Sequence, residues 1–373
     1  MRVKLGDILS ISHGYAFKGE NFSDNPVLPI VMTPGNFKVG GGFREAKIKT
    51  YSGEIPPRYI LSAGDVVITM TDLSKSGDTL GYPGIVPKNN KTYLHNQRIG
   101  RFHFKDLSYV IPKYIYYRLF QKDYHDFILN NSTGSTVKHT SPKKILDFEF
   151  ELPPVEDQKR IANILGSLDD KIEANNALLN SLNQILRLDF LRNSLKRNKS
   201  LYISDIATEI RESVTSSQIS DNENYVGLEH LPRRNVWLSQ WGTGAEVTSN
   251  KSRFRRGDIL FGKLRPYFHK VVVAPVDGIC STDIIVIRPK PGYEQLALQV
   301  LSSDSLIAHA TNSSNGTRMP RTKWSDLNSY EFSHRESSLD LLSDFASSLI
   351  RENQNLSQVR SILISELIGR SRD

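Results

Sequence analysis

The sequence predicts an α+β protein in which two similar α/β domains are separated by two long helices forming an antiparallel coiled coil. Three observations predict it. An order of motifs repeats after about 190 residues, two apolar seams carry coiled-coil spacing, and a basic excess is concentrated in the first part of the chain. At 373 residues the chain is long enough for two domains or more. Its 38% hydrophobic content against 24% charge supplies sizeable cores and argues against disorder.

The first domain is expected over residues 1–151 and the second over 200–333. Leu5-Gly6-Asp7-Ile8 opens one and Ile203-Ser204-Asp205-Ile206 the other. Ala63-Gly64-Asp65-Val66-Val67-Ile68 returns as Arg256-Gly257-Asp258-Ile259-Leu260-Phe261; both read as a Gly-Asp turn feeding a strand. Gly84-Ile85-Val86-Pro87 resembles Val272-Val273-Ala274-Pro275, and Gln97–Phe102 and Asp283–Arg288 follow as strands. Ser132-Thr133-Gly134-Ser135-Thr136 parallels Ser314-Asn315-Gly316-Thr317, and at the same offset Phe148-Glu149-Phe150 parallels Tyr330-Glu331-Phe332. A period this long points to duplicated domains and not to a solenoid.

Each half runs into a helix, a central one within 152–199 and a C-terminal one within 334–373. Pro153-Pro154 and the acids Glu156 and Asp157 are start signals for the first. Leu165, Leu168, Ile172, Asn175, Leu179, Leu182 and Leu186 then follow at alternating spacings of three and four. The second helix offers Leu342, Phe345, Leu349, Glu352, Leu356, Val359 and Leu363 at the same spacings. Two matched seams, each with one polar position, predict that the helices pair, and a globular domain between them makes the pairing antiparallel. From Leu165 to Leu186 the seam runs roughly 32 Å at 1.5 Å per residue, close to one turn of B-DNA.

Charge and loop chemistry point to a polyanionic partner. The net charge is +8, with most of the excess in residues 1–150. A basic footprint of this kind fits nucleic acid. Candidate contacts in the first domain are Lys75, the amide and guanidinium groups of Asn96, Gln97 and Arg98, and the loop residues Ser135, Thr136, Lys138, His139 and Lys143. In the second they are Lys263, Arg265, Tyr267 and Lys270, then Thr317, Arg318, Arg321 and Lys323. Such groups donate to phosphates, and Arg, Asn and Gln also suit bidentate reading of bases.

Catalytic signatures are sparse. Gly257–Leu264 misses a phosphate-binding loop because Leu264 stands where Ser or Thr would bind Mg²⁺. The nine histidines show no HExxH spacing, and neither Asn-Pro-Pro-Tyr nor Asp-Pro-Pro-Tyr occurs. Asp169-Asp170 reads as a solvated helix face, since helical neighbours do not face each other. The single cysteine, Cys280, excludes an intrachain disulfide and a cysteine-built zinc site. No run of about 18 apolar residues predicts a membrane helix, and the stretch Met1–Asp7 has no signal-like apolar core, so a reducing cytoplasm is expected. On these grounds three readings stand: a DNA reader, a coiled-coil scaffold that does not touch DNA, and a stand-alone DNA-modifying enzyme.

Leu152-Pro153-Pro154-Val155-Glu156-Asp157-Gln158-Lys159-Arg160-Ile161-Ala162-Asn163-Ile164-Leu165, with Leu168-Asp169-Asp170-Lys171-Ile172-Glu173-Ala174-Asn175-Asn176 downstream, resembles the central region of type I restriction–modification specificity subunits. The Gly-Ser-Thr loop with Lys138 and Ser141-Pro142, and Gly262-Lys263-Leu264-Arg265-Pro266, resemble that family's target-recognition domains. The entry to the last helix departs from the family pattern: Ser333-His334-Arg335-Glu336-Ser337 replaces a Pro-Pro-x-x-x-Gln sequence. The resemblance implies a non-catalytic subunit whose two domains each read one half of a split, asymmetric site in double-stranded DNA. It implies that the helices recruit two methyltransferase (modification) subunits that carry S-adenosylmethionine and methylate adenine, and that restriction subunits then join them. It implies no cofactor in this chain.

Overall fold

The computed structural model describes residues 1–44, 48–72, 74, 76–194, 200–314, 319–333 and 341–369. The chain is α+β and divides into two compact units, one formed by Met1–Asp170 with Gln358–Asp373 and the other by Lys171–Ser357. Both divisions fall inside a long helix, since the central helix is Val155–Ser194 and the C-terminal helix is Leu341–Gly369.

Each unit contains an antiparallel four-stranded sheet of the same order. In the first it runs Leu9–His13, Ile99–Phe104, Val66–Thr69, Pro83–Ile85; in the second, Ala207–Ile210, Ile284–Pro289, Ile259–Gly262, Val271–Val273. Each also has a five-stranded sheet containing one parallel pair, Tyr93–His95 on Ile30–Met32 and Gly278–Cys280 on Asn224–Val226. Closure is the same in both. The last strand returns to the first, Phe150 opposite Val3 and Phe332 opposite Leu201.

The repeated Gly-Asp turns are one device used twice. Gly64 and Gly257 both take φ +88°, a left-handed conformation that glycine reaches without a Cβ penalty. The following carboxylates, Asp65 and Asp258, accept the backbone N–H of Ser62 at 2.7 Å and of Arg255 at 2.8 Å. Each then binds an arginine of the neighbouring strand: Arg101 at 3.0 Å, and Arg288 through two nitrogens at 2.7 Å. The segment Ile259–Gly262 is a strand, as its composition requires, and not a phosphate-binding loop.

The helices pair in opposite directions within each unit. In the first, Leu165, Ile161 and Ala162 of the central helix share a core with Ile364 and Ile368 of the C-terminal helix. In the second, Leu179, Leu182, Leu186 and Phe190 share one with Ala346, Leu349 and Ile350. Asn175 is the buried polar seam residue; its amide donates to Glu352 at 2.8 Å and to Asn353 at 2.9 Å. Leu168 and Ile172 are half-buried.

The second seam is rotated from the expected one. Phe345 and Val359 are 45% and 44% exposed, and Leu356 is half-buried. The buried positions are Ala346, Ser347, Leu349, Ile350, Ile364 and Ile368, with Leu342 and Leu363 partly packed. The reason is that this helix also completes each unit's own core. A strict seven-residue seam assumes a single partner helix. Asp169 is likewise not a solvated residue: it accepts from the Tyr117 hydroxyl at 2.6 Å and pairs with Arg360 at 2.5 Å, while Asp170 stays exposed beside Lys113.

Candidate nucleic-acid interface

In the first unit three segments distant in sequence meet in one short ladder. The turn Asn96–Arg98 links the strands Tyr93–His95 and Ile99–Phe104, with the Asn96 side chain accepting from the Arg98 N–H at 3.0 Å. The Arg98 carbonyl accepts from Met70 N–H at 2.9 Å, and the Met70 carbonyl accepts from Thr140 N–H at 3.0 Å. Thr71–Asp72 pairs antiparallel with Lys138–His139. Paired hydrogen bonds between Thr133 and His139 close the intervening loop. Gly134 in that loop takes φ +95°, and a Cβ there would lie 2.0 Å from the Val137 carbonyl, so glycine is required.

Gln97, Arg98, Ser135, Thr136, His139 and Lys143 are exposed on these segments, and Asn96 and Lys138 are half-buried. Lys75 lies outside the described residues. Asp72 anchors the ladder. Burial alone would raise its pKa, but hydrogen bonds from Ser74 and Thr79 outweigh burial and hold it below the ordinary carboxylate value.

The second unit builds the same ladder from other residues. Lys263 N–H donates to the Asp283 carbonyl at 2.8 Å, Thr322 N–H donates to the Lys263 carbonyl at 3.0 Å, and Leu264 bridges Arg321. Arg265 N–H donates to the Pro320 carbonyl at 2.8 Å. Lys263, Arg321 and Lys323 thereby line one groove of about 700 Å³, together with Arg211, Asp283 and Trp324. Arg321 pairs with Asp283 at 3.3 Å, and Lys263 spends its ammonium on the Thr282 carbonyl at 2.6 Å.

The remaining candidates divide. Tyr267 is half exposed, and the Arg265 guanidinium lies 5.7 Å from the Phe268 ring centre. Lys270 turns inward: its ammonium donates to the Leu228 carbonyl, and burial, with Arg233 nearby, lowers its pKa. Thr317 and Arg318, like residues 334–337 at the entry to the last helix, lie outside the described residues.

Sequence reading missed Thr71, Asp72 and Asp283. The signal for Asp283 was its place just before a strand equivalent to Ile99–Phe104. For Thr71 and Asp72 it was the weak counterpart of Gly262–Lys270 near residue 70.

The chain is a duplicated α/β protein in which each unit presents exposed polar and basic side chains on a hydrogen-bonded ladder. Residues 1–184 match the family model described as the type I restriction modification DNA specificity domain. Over 289 residues the chain is 26% identical to the specificity subunit of the type I restriction enzyme EcoDI of Escherichia coli, a match covering 64% of each chain. It is 24% identical over 188 residues to the EcoBI specificity subunit of the same organism, covering 50% of this chain and 36% of that one. The chain thus matches less than two thirds of the length of these relatives. The crystal structure of a type I restriction–modification S subunit from M. genitalium shares the fold, with a TM-score of 0.55 at 14% identity over 98% of this chain and 95% of that one. The chain is similar to type I restriction–modification specificity subunits, with the family-model match confined to its first half. No described helix is long and apolar enough to cross a membrane.

Proposed function

We propose that the protein is the DNA-reading subunit of a type I restriction–modification complex. Each unit reads one half of a bipartite, asymmetric site in double-stranded DNA. The observation that carries this reading is the ladder built twice on the same register with different outward side chains. A repeated frame gives two equivalent docking surfaces, and unlike side chains give unlike half-sites. The paired helices serve as the platform for two methyltransferase subunits, and S-adenosylmethionine belongs to those subunits. Restriction subunits join the same assembly, which works in the cytoplasm.

The test is replacement of residues 1–150 by the matching domain of a relative, followed by methylation-sensitive sequencing of host DNA. One half of the methylated motif should change and the other half remain. A swap that changes both halves together, or neither, overturns the division of labour.

A further inference from the structure

The two ladders can be aligned residue by residue through their backbone hydrogen bonds. Met70, Thr140 and Arg98 in the first unit stand where Lys263, Thr322 and Asp283 stand in the second. One step along the same strands, His139 opposite Thr71 corresponds to Arg321 opposite Leu264. The frame is shared, but the side chains it presents at this position are unlike.

Both are also steered by a neighbour. The His139 Nδ1 is hydrogen-bonded to the Thr71 hydroxyl at 3.1 Å, so its Nε2, which has no partner among the described residues, is the free edge of the ring. The Arg321 guanidinium is 3.3 Å from the Asp283 carboxylate while its side chain stays 58% exposed. An arginine that is oriented on one side and open on the other suits bidentate donation to guanine O6 and N7. A phosphate contact needs no such orientation, because it asks only for a cation nearby. Lys323 shows that contrast. It is exposed at the start of the helix Trp324–Asn328, where its backbone N–H donates to the Asp326 carboxylate at 2.8 Å.

We propose that His139 and Arg321 are the equivalent specificity-determining residues of the two units, each reading one base pair of its own half-site, with Asp283 as the positioning residue for Arg321. The assignment rests on the DNA-recognition reading above and deepens it. Arg321 takes a guanine. His139 makes a single hydrogen bond to a base edge through Nε2. Lys323 contributes affinity without sequence preference.

The experiment uses the full chain assembled with its modification subunits and a duplex library randomised across both half-sites. Wild type, His139→Ala, Arg321→Ala, Arg321→Lys, Asp283→Asn and Lys323→Ala are compared, with thermal melting as the control for folding. Wild type should enrich a bipartite motif. Arg321→Ala should lose about tenfold preference at one base pair of one half-site, and His139→Ala should lose preference at one base pair of the other. Arg321→Lys should not restore the guanine preference, because an ammonium lacks the two-pronged geometry. Asp283→Asn should weaken that same preference while raising affinity for random duplex, because it removes a negative charge from the groove and frees the Arg321 guanidinium. Lys323→Ala should weaken all duplexes alike and reduce the salt slope by about one.

The proposal is overturned if folded His139→Ala and Arg321→Ala both enrich the wild-type motif undiminished. It is equally overturned if Arg321→Ala behaves as Lys323→Ala is expected to. A wild-type complex that enriches no motif would instead bring down the DNA-recognition reading itself.

Discussion

His95 holds a proton-sensitive place in the first unit. It is 2% exposed, and its Nε2 donates to the Ile99 carbonyl at 2.7 Å, so the second ring nitrogen would have to take up a proton inside the core. Burial lowers its pKa from 6.5 to about 4. As pH falls the unfolded chain binds a proton first, so stability is whole above about pH 6.5 and is lost progressively toward pH 4. The expected loss is about 3 kcal/mol across that window. Urea unfolding between pH 7 and 4.5 checks it: the midpoint of the first unit should fall with pH, and His95→Gln should flatten that fall. Asp258 makes a second residue-level case. It is 2% exposed and held by Arg288 through two hydrogen bonds, so Asp258→Ala should cost the second unit about 3 kcal/mol by leaving the guanidinium and the Arg255 N–H without their acceptor. Calorimetry should show that unit's transition moving down; an unmoved transition would mean that water replaces the carboxylate at no cost.

At the scale of elements, the central helix was legible and its partner only in outline. Leu165, Asn175, Leu179, Leu182 and Leu186 are buried as their spacing requires. In the C-terminal helix the three-four rhythm identified a helix and its pairing but chose a face offset from the buried one. Apolar residues such as Phe345 and Val359 keep the rhythm without lying inside, and Ala346 and Ile350 lie inside on a face that spacing alone does not single out. The contrast gives a prediction. Ile350→Ala should cost about 3 kcal/mol by opening a cavity, while Phe345→Ala and Val359→Ala should stay within about 0.5 kcal/mol of wild type. Thermal melts of the three variants separate the two faces, and a Phe345→Ala variant as damaged as Ile350→Ala would restore the original seam. Ile172→Asp and Leu356→Asp change half-buried positions and should therefore destabilise less than Leu179→Asp, whose side chain is 3% exposed.

Over the whole molecule, the duplication was readable wherever a residue's role is local. Gly64-Asp65 and Gly257-Asp258 reveal themselves because turn chemistry is written in adjacent residues. The ladders were not readable, since Thr71 meets His139 and Leu264 meets Arg321 only once the sheets have formed. Candidate residues could be drawn up as separate loops, but which of them share a surface is a property of long-range pairing. Lys270 shows the limit from the other side: its neighbours in sequence are basic and aromatic, yet its own ammonium is spent on a backbone carbonyl.

The division of both long helices between units has a consequence for the order of synthesis. The first unit's core includes Ile364 and Ile368, and Gln121 donates to the Ile364 carbonyl at 2.5 Å. A nascent chain therefore exposes the apolar flank of residues 158–165 through the translation of the entire second unit, and the unit begun first is completed last. Removing residues 358–373 should accordingly speed amide exchange and proteolysis in the first unit and leave the core of the second protected. Mass spectrometry of exchanged peptides measures this directly, and equal loss of protection in both units would show that they do not fold as separate cooperative bodies. Joining the codons for 358–369 ahead of Met1 through a flexible linker would deliver the missing flank early, turning a late, nonlocal docking into one available from the outset of elongation.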